Sequence, residues 1–136
     1  MRVALISFCD KQNKKAQSIL QKLSISASSK GHQIDFINGL QDITNTRLTM
    51  YDYIAVVIKP SALFGSKIPP RVSEFLSSSG SISGKKGCAL VIKFGFSSTK
   101  TCKKLMKILE SQGVKLDYFE VLRDEAHASY AGSFIG

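Results

Sequence analysis

The chain has 136 residues, 43% of them hydrophobic, with 19 Lys and Arg set against 10 Asp and Glu. That length suits one domain with a real core, and that apolar fraction excludes a disordered chain. The net charge of +9 suits an anionic partner, while no apolar run approaches the ~18 residues of a membrane span.

Three cysteines, Cys9, Cys88 and Cys102, and two histidines, His32 and His127, are too few and too widely spaced for a disulfide framework or a zinc site, so free thiols and no metal are expected. The start, Met1 to Phe8, lacks the length and the small-residue cleavage pattern of a signal peptide, which predicts a cytoplasmic protein. The lysines are scattered over Lys11, Lys14, Lys15, Lys22, Lys30, Lys85, Lys86, Lys100, Lys103, Lys104 and Lys107. With no aromatic-rich segment beside them they read as solvated helix faces rather than a nucleic-acid footprint.

In chain order, Val3 to Ile6 is a continuous apolar run, as in a parallel strand buried on both faces. The loop Ser7 to Asn13 follows. Ala16, Ile19, Leu20 and Leu23 then recur at helical spacing, up to a glycine end at Lys30-Gly31. Gln33 to Ile37 alternates as an edge strand does. Asn38 to Thr49 is weakly patterned, with Leu40, Ile43 and Leu48 as anchors of one short helix. Tyr53 to Ile58 is the third strand, and a long loop leaves it. Pro69-Pro70 open a helix to about Leu76, because Pro fits a first helical turn. Ser77 to Ser81 reads as a flexible tract.

Cys88 to Ile92 is the fourth strand. Past Lys93 to Ser97, Ser98 or Thr99 is placed to cap a helix with Cys102, Leu105, Ile108 and Leu109 on its buried stripe and Gly113 at its end. A fifth strand lies within Val114 to Leu122. In the tail, Asp124 to Gly136, His127, Tyr130, Ala131 and Phe134 fall at helical spacing over two to three turns. Alternation of this kind means a parallel sheet with helices on both faces, in one domain spanning 1–136. Ligands of such sheets bind outside the carboxyl ends of the strands, where the long loop after Ile58 stands.

Tyr51-Asp52-Tyr53 leading into a strand, then Pro60-Ser61-x-x-Phe64-Gly65-Ser66, a proline at 69 or 70 and Phe75-Leu76, resemble a segment of the flavodoxin family and related FMN-dependent quinone reductases. The resemblance covers about 1–122. It implies a flavodoxin-like three-layer α/β sandwich, a five-stranded parallel sheet in order 2-1-3-4-5, and FMN at its carboxyl edge between three loops. Carried over by position, the cofactor-binding candidates are Ser7, Phe8, Cys9, Lys11, Gln12 and Asn13 in the first loop. The second loop gives Pro60, Ser61, Leu63, Phe64 and Gly65, and the third Gly95, Phe96 and Ser97.

The first loop departs from the pattern Ser/Thr-x-Thr-Gly-x-Thr. Cys9 replaces a hydroxyl, Asp10 stands at the glycine and Gln12 at the final Thr, while Lys59 stands in the second loop where a small residue is usual. Two readings follow. One is an FMN-binding redox protein, an electron carrier or reductase with no side-chain acid or base. Its charge calls for an acidic redox partner. The other is a flavin-free binding protein that keeps the scaffold. The short last helix returns to the face of the first and is expected to leave part of it open, which predicts a homodimer or partner contact there.

Overall fold

The computed structural model describes residues 1–41, 47–60 and 67–136. The elements are β1 (Arg2–Ser7), α1 (Lys14–Ser28), β2 (Gln33–Asn38), a 3-10 turn (Leu48–Met50), β3 (Tyr53–Ile58), α2 (Pro70–Ser78), β4 (Lys86–Ile92), α3 (Ser98–Ser111), β5 (Lys115–Leu122) and α4 (Glu125–Gly132). All strands pair in parallel in the order β2-β1-β3-β4-β5. The sequence of β3, Tyr-Ile-Ala-Val-Val-Ile, is buried at every position, as a central strand covered on both faces must be. β2 and β5, the two edges, are instead exposed or half-buried along most of their length, β5 in alternation.

Alternation along the strands divides the core in two. Ala4, Ile6, Ile54, Val56, Ile58, Ala89 and Val91 pack under α2 and α3 through Val72, Phe75, Leu76, Leu105 and Leu109. Val3, Leu5, Tyr53, Ala55, Val57, Cys88, Leu90 and Ile92 pack under α1 and α4. The register sets Ser7 opposite Val57 and Ile58 opposite Val91, so β1, β3 and β4 release their loops along one edge.

Two expectations are corrected. The serine tract is no loose linker. Ser77 and Ser78 continue α2, the buried Ser79 hydroxyl donates to the Phe75 carbonyl at 2.5 Å, and the Ser79 carbonyl accepts from the Leu48 N–H at 2.8 Å. The cap position of α3 is Ser97, not Ser98 or Thr99; the Ser98 hydroxyl instead accepts from the Phe94 N–H at 3.0 Å and donates back to its carbonyl at 3.2 Å. Over the central strands the α1 face is closed, with Tyr53, Cys88 and Leu90 fully buried beneath α1 and α4, while at its β2 edge Phe36, in register with Leu5, stays 49% exposed beside α1. Of the anchors for a short helix after β2, Ile43 lies outside the described residues and Leu48 begins the 3-10 turn.

Candidate functional site

The loop after β1 extends that strand before it turns. The Phe8 N–H donates to the Val57 carbonyl at 2.9 Å, and the Phe8 ring is buried with its edge to Phe75, centroids 5.7 Å apart. The Ser7 hydroxyl accepts from the Cys9 N–H at 3.1 Å. Cys9 turns into the core, where burial pushes its thiol up to about 11 against the opposing pull of the Ser7 hydrogen bond and the Lys59 charge.

Asp10 organises the rest of this loop. Its Oδ1 accepts from the Gln12 N–H at 2.9 Å, and its carbonyl accepts from the Asn13 N–H at 3.1 Å and from Gln17 Nε2 at 3.2 Å. Asn13 then caps α1, its Oδ1 accepting from the Ala16 N–H at 3.0 Å. The cap falls one residue past Gln12, the position matched to the family's final Thr. Lys11 is exposed at the tip.

At the end of β3, Pro60 is buried and Lys59 half-buried. The Lys59 ammonium lies 4.0 Å from the centroid of the Phe94 ring, a cation–π contact that joins the β3 and β4 loops. A recess of about 300 Å³ is lined by Phe8, Cys9, Asp10, Asn13, Lys59 and Pro60. So five of the expected residues meet here, Phe8, Cys9, Asn13 and Pro60 on the wall and Ser7 behind it. Ser61, Leu63, Phe64 and Gly65 lie outside the described residues.

The third loop does not line this recess. Gly95, at φ +70°, turns the chain, and Phe96 is 80% exposed. Both form walls of a separate cavity of about 540 Å³, shared with Lys93, Glu120, Arg123 and His127. Ser97 stands behind it at the head of α3. Sequence reasoning passed over Phe94, Lys93, Arg123 and Glu120 and took His127 for a tail residue. Their one signal was position, Lys93 and Arg123 each being the first residue past a strand. Among the described residues, no group of His, Cys, Asp and Glu is arranged to hold a metal ion, and no helix is long and apolar enough to cross a membrane.

The topology and the site edge can be set beside known structures. An archaeal flavodoxin superposes with a TM-score of 0.73 over 98% of this chain and 94% of its own, at 14% identity. The fold is flavodoxin-like. The two-electron-reduced flavodoxin of Megasphaera elsdenii gives a TM-score of 0.74 over 96% of each chain at 12% identity. The apo form of an NADH:FMN oxidoreductase gives 0.68 over 99% of this chain and 90% of its own, at 13% identity. These likenesses concern fold. By sequence, no family model and no curated protein matches the chain.

The described loops can be tested for FMN. A phosphate dianion needs backbone N–H donors and positive charge at its oxygens. In the β1 loop the Gln12 N–H is already taken by the Asp10 carboxylate and the Cys9 N–H by Ser7. A phosphate beside that carboxylate also meets like-charge repulsion, which water weakens because Asp10 is exposed. At Cys9 and Gln12, then, the loop as folded has spent on itself the donors that the phosphate of FMN would need, and at these two positions it does not fit that group. The ring would meet the second loop, most of which lies outside the described residues.

Proposed function

We propose that this protein is a flavodoxin-like binding protein in which an internal carboxylate has taken the place of a cofactor phosphate, so that it works without resident FMN. The observation that carries the reading is the Asp10 Oδ1 bond to the Gln12 N–H. It supplies from within the chain the anion that such a loop otherwise takes from a ligand. Lys59 on Phe94 supports it by bridging the rims of the β3 and β4 loops. Binding would then rest on the carboxyl edge and on the +9 charge, with an acidic macromolecule as partner and the cytoplasm as its place.

A second reading keeps FMN and makes the protein an electron carrier or reductase with an acidic redox partner. A specific observation favours it: the likeness to flavodoxins runs over nearly the whole of both chains. In that case the flavin supplies the electron chemistry, and this chain orients and shields it.

Titrating FMN and riboflavin into the protein, followed by the amide resonances of Phe8 to Asn13, separates the two. The first reading expects no saturable FMN shift at micromolar concentration and no advantage of FMN over riboflavin. It also expects at least a tenfold gain for FMN in Asp10→Asn, which keeps the turn and removes the charge. A protein that takes FMN at micromolar concentration more tightly than riboflavin at these amides overturns it in favour of the second.

A further inference from the structure

The cavity at the ends of β4 and β5 has a charge and shape of its own. Lys93 directly follows Ile92, the last residue of β4, and Arg123 directly follows Leu122, the last of β5. Parallel pairing opposes Ile92 to Leu122, and the Lys93 N–H donates to the Leu122 carbonyl at 2.8 Å. Two basic residues thereby stand at neighbouring strand ends, and both line the cavity of about 540 Å³. That volume falls within the range of small-molecule sites.

Among the described residues the carboxylate on its walls is Glu120, and it is engaged. Its Oε1 accepts from the Val121 N–H at 3.0 Å, and its Oε2 stands 3.6 Å from His127 Nε2. His127 Nδ1 faces the Arg123 N–H at 3.2 Å and Arg123 Nε at 3.4 Å. Two donors on Nδ1 make it the acceptor and assign the ring proton to Nε2, toward Glu120. The imidazole thus holds the Arg123 guanidinium by its Nε. Ser98 and Thr99, in the first turn of α3, complete the polar wall, and that turn carries no acidic residue. Phe96, 80% exposed, adds a flat apolar face beside the cations.

The geometry points to a second ligand site in this cavity, for a phosphomonoester that carries a planar ring. The phosphate pairs with Arg123 and Lys93, and the ring lies on Phe96. Guanidinium suits a phosphate because its donors match two oxygens at once, while the Lys93 ammonium adds a point charge. The site shares no wall residue with the recess beside Asp10, so it stands whether or not the protein works without FMN.

Adenosine 5′-monophosphate is a suitable probe, with adenosine and inorganic phosphate as its two halves, followed by the amide resonances of Gly95, Phe96, Thr99 and Arg123 at low salt. The monophosphate is expected to saturate these shifts and to bind at least tenfold more tightly than adenosine or phosphate. Arg123→Gln and Lys93→Gln should each weaken it about tenfold and leave adenosine unchanged, while Arg123→Lys, which keeps the charge but loses the fork, restores only part of the binding. Phe96→Ala should weaken the monophosphate and adenosine alike. Unchanged chemical shifts elsewhere show that each variant folds. Equal binding of monophosphate and adenosine, loss of binding in none of the charge variants, or no saturation by about 10 mM ligand overturns the assignment. These amides are distinct from those that report on the Asp10 loop, so the two proposals fail separately.

Discussion

At Cys9, burial raises the thiol to about 11, and the same cause takes Cys102 to about 11 and Cys88 to about 12. The thiolate is the reactive form, so at neutral pH each native thiol should react with a disulfide reagent at least about 100-fold more slowly than free cysteine. All three should react at once in denaturant. A fast thiol that is lost in Cys9→Ala would show that the Cys9 sulfur opens into the recess it borders instead of packing in the core. The same shifts fix a pH dependence. An acid held neutral by burial binds its proton in the folded chain after the unfolded chain has lost it, so stability is complete below the unfolded value and falls above it. Melting temperature should therefore drop from about pH 9, the ordinary thiol value, through the folded values of about 11 to 12. Tyr118, raised to about 12 by burial, and Tyr53, raised well past its usual value by the same cause, add to the decline. A melting temperature that holds level to pH 11 would contradict the burial of these groups. The sequence made Asp10 visible as an anomaly, since a carboxylate stood where the resembling loops have glycine. It did not say which N–H the carboxylate takes, because that depends on how Ser7 and Asn13 bend the loop around it.

At the scale of elements, α4 shows where pattern reading stopped. Its length was legible as two to three turns, but coverage depends on how closely it approaches α1, and small residues decide that. Ala128, Ala131 and Gly132 are its buried positions, and a Cβ at Gly132 would stand 2.6 Å from the Ser26 Cβ and 2.8 Å from the Leu23 carbonyl oxygen. The Ser26 hydroxyl reaches across to the Ser129 carbonyl at 2.6 Å. Ile135, past the end of α4, is buried in the same cluster, so a helix that looked too short covers its share of the sheet by packing tightly. Gly132→Val should pry α4 from α1 and cost about 1–3 kcal/mol. That would be seen as a lower midpoint in urea with the far-UV spectrum of the folded protein kept. Gly132→Ala should cost less. If Gly132→Val left the midpoint unchanged, the close α1–α4 contact would be wrong. The strands were legible because burial on both faces demands unbroken apolar runs, as in Tyr53–Ile58. The serine tract was not, because Ser79 is buried by hydrogen bonds to Phe75 and Leu48, a tertiary event that composition does not record.

For the molecule as a whole, the question is self-association. An expected homodimer rested on an open part of the α1 face; the central strands are covered on both sides, and the opening is confined to the β2 edge, where Phe36 is 49% exposed. Exposed large apolar groups remain near β5: Phe119 at 57%, Tyr130 at 63% and Phe134 at 44%. β5 is also an edge strand, but its pairing with β4 slips at Gly87/Cys88, and Lys115 and Asp117 are exposed along it. Bulges and charges of this kind blunt an edge against pairing with a second chain. The +9 charge adds mutual repulsion between copies, which salt weakens as the Debye length falls from about 10 Å at 0.1 M to about 3 Å at 1 M. Light scattering should accordingly return the monomer mass, 14.9 kDa, at low salt and still at high salt, where repulsion is screened. A doubling at high salt alone would mean that charge, not surface shape, keeps the copies apart. Tyr130→Ser with Phe134→Ser should then restore the monomer, because Phe134 stacks on Tyr118 at 4.9 Å and Tyr130 meets Phe134 edge-on at 5.1 Å, and these rings are the apolar cluster that screening would free to associate.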